Sequence, residues 1–376
     1  MDRPTGLQIN PPVSSILVAM SGGVDSSVAA LLLKEEGYNL AGVTMRYWVD
    51  SISQEQAETG VQGCCSLEAV NDARAVAGEI GIPHYVFNLK DAFYEQVVCY
   101  FTREYMRGRT PNPCIACNRN LKFSHLLEKA LALDFDFLAT GHYARVVYDD
   151  EEKRYRLFRG LDDTKDQSYA LYTLKQEQLC RILLPLGEVT KQEVRDIAAN
   201  RGLNVAEKNE SQEICFLPDN DYRGFLQRVC GEWIQEGEIR STDGEKLGQH
   251  QGIPFYTIGQ RKGLGISSPQ PLYVVALDPE NNRVIVGTEE ETYSGGLWVE
   301  DLNFISGFAP SDEKQVETKI RYRSTPIKAT LYPPEGKMAR VIFENPQKAV
   351  TPGQSAVFYQ GDEVIGGGII SSAIRY

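Results

Sequence analysis

Three cysteines and one glycine turn are the residues whose types and spacing could do chemistry here. Arg109-Thr110-Pro111-Asn112-Pro113-Cys114-Ile115-Ala116-Cys117-Asn118 carries a Cys-x-x-Cys pair between two predicted helices. Its two prolines keep either helix from running through, so the stretch reads as a rigid loop. Arg109 or Arg119 and the start of the next helix favour thiolates there. A zinc knuckle is the structural reading of the same pair, but a four-cysteine zinc site wants a second similar pair and the sequence has none. Cys215, in Glu210-Ser211-Gln212-Glu213-Ile214-Cys215-Phe216-Leu217, follows a polar loop and by residue type alone reads as a buried strand cysteine. Cys99, Cys180 and Cys230 fall on apolar faces of predicted helices and read as core. Cys64 and Cys65 are adjacent in a loop, where two thiols rarely cooperate.

The glycine turn is Ser21-Gly22-Gly23-Val24-Asp25-Ser26-Ser27, between the apolar runs Ile16–Met20 and Val28–Leu33. That is strand, tight turn, helix. Two glycines let the backbone turn sharply and approach an anion. The helix start offers free N–H groups and the positive end of a dipole, and Ser26 and Ser27 add hydroxyl donors. The loop suits a phosphate or pyrophosphate, and equally a plain strand–helix turn capped by Asp25 or Ser26. It lacks the Gly-Lys-Ser/Thr ending of the ordinary P-loop, which excludes that route to γ-phosphate chemistry. The stretch resembles the Ser-Gly-Gly-x-Asp-Ser signature of the ATP pyrophosphatase (PP-loop) superfamily. That resemblance implies splitting of ATP between its α and β phosphates, often to adenylate a carbonyl oxygen, and names no substrate.

The elements that must position these residues alternate in the first half. Strands are expected at Ile16–Met20, Leu40–Trp48, His84–Leu89 and Phe135–Thr140. Helices are expected at Ala29–Glu36, Ser66–Ile80, Ala92–Met106 and Leu121–Leu133. Such alternation indicates an α/β parallel sheet wrapped by helices, with ligands beyond the carboxyl ends of the strands. The glycine turn and Gly141-His142 both sit at such ends and could share one site. A β-hairpin is expected over Tyr143–Leu161, helices over Lys175–Ile182, Lys191–Arg201 and Asp221–Cys230, and a loop over Asp50–Gly63. From Gly237 on, short alternating runs dominate, and strands are expected at Tyr273–Ala276, Arg283–Gly287, Lys314–Tyr322, Lys328–Leu331, Ala339–Phe343, Ala356–Tyr359 and Glu363–Ile370. These predict an all-β C-terminal part, a barrel or a sandwich, with the barrel taken as the expectation. The expected division is a catalytic domain over 1–218, a small β-rich central domain over 219–287 and the barrel over 288–376.

At 376 residues the chain has room for two or three cored domains. No run of about 18 apolar residues exists, so no membrane span is expected, and no basic-then-apolar signal opens the sequence, so a cytoplasmic location is expected. Eight cysteines in that setting read as reactive or metal-binding. The net charge of −12 argues against non-specific nucleic-acid binding. It leaves room for local basic clusters at Arg103, Arg107 and Arg109; Arg119 and Lys122; Arg261 and Lys262; and Lys319, Arg321 and Arg323, each of which also reads as plain solvated charge.

Nearly the whole chain resembles the bacterial tRNA-specific 2-thiouridylase family. The resemblance rests on Ala19–Ser27, Gly108–Pro113, Cys117-Asn118, Ala139-Thr140-Gly141-His142-Tyr143, Lys165-Asp166-Gln167-Ser168-Tyr169, Ile214-Cys215-Phe216, Ile258–Ile266, Arg321-Tyr322-Arg323 and Thr351–Val357. Only the first is widespread in the superfamily. The resemblance implies that ATP and Mg2+ bind at Ala19, Met20, Ser21, Gly22, Gly23, Val24, Asp25, Ser26 and Ser27, with Met45 near the adenine and Gly141 lining the site. It implies that the wobble uridine of a tRNA for Lys, Glu or Gln enters beside Asn112, Pro113 and Cys114. Its C2 oxygen is adenylated, and a persulfide on Cys215, loaded by a sulfur carrier or cysteine desulfurase, brings sulfur to C2. Cys117 is then the nucleophile, closing a Cys117–Cys215 disulfide. His142, Lys165, Asp166, Gln167, Arg321, Tyr322 and Gln354 are implied RNA contacts, residue types that suit splayed bases and phosphates. The best-known members carry aspartate where this chain has Cys114. The thiol is therefore either an auxiliary of the relay or, with Cys117 and Cys215, a ligand of a [4Fe–4S] cluster. Gln212-Glu213 is a second departure, where those members have smaller residues. The rivals that share the loop are a lysidine synthetase, needing no paired cysteines, and small-molecule synthetases, needing no β-rich tail. An iron–sulfur or zinc RNA-binding protein would not need the loop at all.

Overall fold

Short aliphatic runs build a buried parallel sheet at the centre of the first half. The computed structural model describes residues 14–47, 67–208, 214–217 and 220–375. Strands β1 (Ser15–Ala19), β2 (Asn39–Arg46), β3 (His84–Asn88) and β4 (Phe137–Thr140) lie in the order β3-β2-β1-β4, all parallel. After them, β5 (Ala144–Asp149) and β6 (Arg154–Arg159) form the expected hairpin, and β7 (Ile182–Leu183) joins the outer edge of β4. Successive residues of a strand face opposite sides. Ile16 and Val18 therefore pack with helices α1 (Val24–Glu35) and Lys191–Asn200, while Leu17 packs with the helix over 113–132. Both faces are covered, as a parallel sheet requires.

The helix α2 (Leu67–Glu79) follows, and then two longer helices contain wide, π-type turns. One spans 90–106 with the wide turn at Tyr94–Val98. The other spans 113–132 with the wide turn at Asn118–Leu126. In the first, Phe93, Val97, Val98, Phe101 and Tyr105 form the buried face. Cys99 stands one residue, about 100°, round from Val98 and is exposed rather than core. Cys180 is half-buried at the C-terminal cap of the single turn Gln176–Leu179, and of the three cysteines assigned to the core only Cys230 is buried. The helix expected over 175–182 is that one turn, because Ile182 and Leu183 pair with β4 instead. Cys64, Cys65, the 50–63 loop and Gln212-Glu213 lie outside the described residues.

Beyond helix Tyr222–Cys230, β8 (Gly237–Ser241), β9 (Lys246–His250), β10 (Tyr273–Asp278) and β11 (Arg283–Gly287) form a sheet in the order β10-β11-β8-β9. Its Ile239, Val274, Val284 and Val286 share an apolar cluster with Phe93, Phe101, Cys117, Phe216 and Phe225. The last third holds β12 (Tyr293–Phe304), β13 (Lys314–Lys319), β14 (Ile327–Leu331), β15 (Ala339–Lys348), β16 (Ser355–Gln360) and β17 (Glu363–Ile374). They follow the order β12-β15-β14-β13-β16-β17, and β17 pairs back onto β12, which closes an antiparallel barrel. The hairpin β5–β6 is added to it, with Glu363 opposite Phe158 and Val364 opposite Leu157. No described helix is long and apolar enough to cross a membrane.

Candidate active site

The glycine turn sits where β1 ends. Met20 N–H donates to Val43 O at 2.8 Å, and Thr44 Oγ1 donates to Met20 O at 2.8 Å, so the strand end is fixed before the turn begins. Gly22 has φ +72°, and a Cβ there would stand 2.3 Å from Ala69 O. No other residue fits between the turn and α2. Gly141, at the end of β4, is held as closely: its Cβ would meet Ser26 N at 2.8 Å and the Asp25 carbonyl carbon at 2.9 Å. The two strand ends expected to share a site are therefore in contact. The hydroxyls of Ser26 and Ser27 do not reach outward as the sequence reading expects. Both donate to Gly23 O, at 3.1 and 2.9 Å, and Ser26 Oγ also accepts from Ser21 N–H at 3.1 Å. They shape the turn, which leaves the main-chain N–H groups at the start of α1 and the exposed Ser21 as the donors an anion could use.

Asp25 Oδ1 accepts from Tyr143 Oη and from Lys191 Nζ, each at 2.6 Å. Lys191 begins its helix under a capping box made by Thr190 and Glu193, and its side chain is only 10% exposed. It places a cation beside the glycine turn. The helix over Lys191–Arg201 was expected from the sequence. That the first residue of that helix reaches back 166 positions to the turn was not.

The Cys-x-x-Cys pair is helical, not a rigid loop. Asn112 caps the helix over 113–132, its Oδ1 accepting from Cys114 N–H at 3.1 Å and Ile115 N–H at 3.3 Å, and Pro113 takes the first position. Proline ends a helix that precedes it and starts one that follows, because the missing N–H is one the first turn would leave unpaired anyway. Three residues apart, Cys114 and Cys117 share a helix face, yet Cys114 is exposed and Cys117 is buried. Cys117 Sγ donates to Tyr47 Oη at 3.8 Å, and Tyr47 Oη donates to Met45 Sδ at 3.3 Å. The Tyr47 ring stacks on Phe93 at 4.6 Å, and Phe93 meets Phe216 edge-on at 5.6 Å. Phe216 also packs on Phe101 and Phe225, at 5.3 and 5.5 Å. Cys215 itself is exposed, in a turn rather than a buried strand, while its neighbour is sunk in the cluster that contains Cys117. Among the described residues no group of three or more His, Cys, Asp or Glu side chains converges to hold a metal. As placed, Cys114, Cys117 and Cys215 do not form the three-thiolate corner of a cluster.

The barrel covers the same helix start. Thr110 N–H donates to Pro352 O at 2.9 Å, and Gln354 Nε2 donates to Thr110 O at 2.8 Å. Arg109 pairs with Glu104 at 2.8 Å and Glu300 at 2.6 Å, and Arg119 forks onto Asp301. These two arginines tie the sheet domain to the barrel. A cavity of about 250 Å³ remains between them, lined by Asn112, Ala116, Asn120, Tyr172 and Ser355 among others. Tyr322 is 39% exposed, and burial together with Asp166 and Cys114 nearby pushes its phenol up. The expected base-side Cys114 and the expected RNA-side Tyr322 thus come together.

Of the other expected RNA contacts, His142 and Asp166 face inward, Gln167 is half-buried and Arg321 is exposed. His142 is buried, its Nδ1 2.7 Å from Thr140 Oγ1, and burial holds its imidazole well below the usual range. Asp166 accepts from Gly160 N–H, Ser168 N–H and Ser168 Oγ, at 3.2, 3.0 and 3.0 Å. Gln167 accepts from Tyr143 N–H at 2.9 Å, and Arg321 Nη2 donates to Lys348 O at 3.2 Å and to Ala349 O. Lys165 is half-buried on the same turn.

Three family descriptions match in tandem. A tRNA methyl transferase HUP domain matches residues 14–219, a tRNA methyl transferase PRC-barrel domain 223–288, and an aminomethyltransferase beta-barrel domain 294–370. The tRNA-specific 2-thiouridylase MnmA of Natranaerobius thermophilus is 54% identical over 358 residues, covering 95% of this chain and 97% of that one. Its namesakes in Carboxydothermus hydrogenoformans and Moorella thermoacetica are 53% and 55% identical, each over 96% of this chain and over 98% and 100% of their own.

Proposed function

The chain belongs to the tRNA-specific 2-thiouridylase family, and from that membership we propose how its parts divide the thiolation of a tRNA wobble uridine. ATP takes the turn at Ala19–Ser27, with its phosphates on the N–H groups at the start of α1 and its adenine toward Met45. Asp25 would be the carboxylate that helps to hold Mg2+, which would supply charge neutralisation for a leaving pyrophosphate. Lys191, now on Asp25, is the cation within reach of that charge. The uridine enters beside Asn112, Pro113 and Cys114 under Tyr322. Its C2 oxygen attacks the α phosphorus and pyrophosphate leaves. The C2–O bond, a poor leaving bond in a carbonyl, now ends in AMP.

Sulfur follows through the cysteines. Cys215 carries a persulfide loaded by a sulfur carrier or a cysteine desulfurase. The Cys117 thiolate attacks the Cys215 sulfur, a Cys117–Cys215 disulfide forms and hydrosulfide is released. Hydrosulfide adds to C2 and expels AMP, and a cellular dithiol reduces the disulfide for the next turnover. The observation that carries this reading is the aromatic cluster in which Phe216, next to Cys215, and Cys117 are packed together. The relay is preferred to an iron–sulfur cluster because the three thiols do not converge. tRNAs for Lys, Glu and Gln are the proposed substrates and the cytoplasm the proposed location. The proposed working units are those at 1–218, 219–287 and 288–376. Nucleoside mass spectrometry after incubation with ATP, a persulfide donor and tRNA bearing uridine or cytidine at the wobble position tests it. Uridine-dependent AMP and 2-thiouridine are expected, and pyrophosphate release indifferent to tRNA would overturn it.

A further inference from the structure

Cys117 must present a thiolate from an apolar pocket. Burial of a thiolate among Phe93, Leu121 and Phe216 disfavours the charged form, and a hydrogen bond to that form offsets part of the cost. Tyr47 supplies the hydroxyl. It is 6% exposed, its ring is fixed by the stack on Phe93, and its oxygen lies between two sulfurs, 3.3 Å from Met45 Sδ and 3.8 Å from Cys117 Sγ. Among the described residues, several titratable groups on the surrounding elements are engaged elsewhere or exposed. Arg46 is exposed at the end of β2, Glu104 pairs with Arg109, Arg119 with Asp301, and Cys230 donates to Leu226 O at 3.1 Å. Lys122 acts on His142, and Cys215 is exposed.

We propose that Tyr47 is a positioning residue for the sulfur step, its phenol O–H turning from Met45 Sδ to Cys117 Sγ when the thiol loses its proton. A phenol has one hydrogen and gives it to one acceptor at a time. While Cys117 is a thiol, its S–H points at the phenol oxygen and the phenol hydrogen rests on the thioether, a weak acceptor. Once solvent base takes the thiol proton, the thiolate is the stronger acceptor and a charge-assisted bond replaces the weak one. The exchange needs only rotation about the C–O bond, so the ring stack survives it. The place of this bond in catalysis rests on the relay reading, since Cys117 must act as a thiolate for it to matter.

Tyr47→Phe keeps the ring and removes the hydroxyl. Methylthiolation of Cys117 by methyl methanethiosulfonate, followed on the Cys117 peptide by mass spectrometry across pH, reads the thiolate directly. Its pH midpoint is expected to rise by about one unit in Tyr47→Phe, a tenfold loss of thiolate below the midpoint, equivalent to about 1.4 kcal/mol. Thiolation turnover at neutral pH falls by about the same factor, with KM for ATP and tRNA unchanged. Replacing Tyr47 by 3-fluorotyrosine, a stronger donor of nearly the same shape, moves the midpoint down. An unmoved midpoint in either protein overturns the proposal, even where turnover is lost, because packing alone would do that. Full thiolation by Cys117→Ser would instead remove the relay reading and leave the midpoint result to stand or fall separately.

Discussion

Gly141→Ala puts one methyl group where β4 meets the start of α1. The added carbon would stand 2.8 Å from Ser26 N, 2.9 Å from the Asp25 carbonyl carbon and 3.1 Å from Asp25 O. All three are main-chain atoms, so no side chain can swing aside. Reaching ordinary contact at 3.4 Å needs a shift of at least about 0.6 Å in the turn proposed to hold the phosphates. Overpacking of this kind costs about 1–3 kcal/mol of stability. A displacement approaching 1 Å at reacting atoms costs up to about 100-fold in rate, so a fall of about tenfold in uridine-dependent AMP formation is expected, with a raised KM for ATP. Urea unfolding measures the first effect, coupled pyrophosphate release the second, and filter binding of tRNA stays at the wild-type value. Gly78→Ala is the matched control: it lies in α2 with nothing within 4 Å of the new carbon, and gains about 0.5–1 kcal/mol from helix propensity alone. A folded Gly141→Ala protein with wild-type ATP KM and turnover would refute the assignment of this contact to the nucleotide site.

Cys117→Ser and Cys215→Ser each abolish 2-thiouridine in complemented cells while Cys99→Ser does not; a wild-type level in Cys215→Ser would end the persulfide role. Tyr322→Ala removes the exposed ring beside Cys114 and weakens tRNA binding by about 1–3 kcal/mol if it stacks on a base. Filter binding checks this, and unchanged affinity counts against it. His142, His84 and His250 are all held below the ordinary imidazole value, chiefly by burial. The unfolded chain therefore takes up protons first as pH falls: stability is complete above about pH 6.5 and declines below it, toward the depressed folded values. Urea unfolding at pH 7.5 and 5.0 should show that decline, and His142→Gln should lessen it. An equal decline in both proteins would mean that His142 is not buried neutral.

Much of the sheet domain was legible because its signals are local. Ile16–Val18 and Leu40–Val43 are continuous apolar runs, and the glycine turn has no helix or strand reading of its own. The sites that escaped depend on partners far along the chain. Gly237–Ser241 and Lys246–His250 are strands with few apolar residues, held by pairing with each other and with β11. Tyr293–Phe304 is interrupted by Gly295-Gly296, and Gly296 is needed where β12 crosses β15, its absent Cβ leaving room for Val341 O at 2.4 Å. Lys191 on Asp25 and Tyr47 on Cys117 are tertiary contacts with no spacing that announces them. The inward turn of His142 and Asp166 was invisible for the converse reason, since polar residues in loops read as surface until their acceptors and donors are placed.

The hairpin β5–β6 falls in sequence between β4 and β7 of the parallel sheet but lies against β17, where Arg156 donates to Glu363 Oε1 at 2.9 Å, and Tyr148 meets Tyr155 across the hairpin at 4.9 Å. The hairpin therefore belongs to the first unit in sequence and to the barrel's sheet in hydrogen bonding. A break after residue 287 would separate the last strand of the barrel from two strands that belong to its sheet. In hydrogen exchange, the amides of 157–158 should open with those of 363–364, two hundred positions away, rather than with β4, which ends only a few residues before the hairpin begins. The three residues Gly141 to Tyr143 therefore join the strand end that touches the glycine turn to a strand pair of the barrel's sheet.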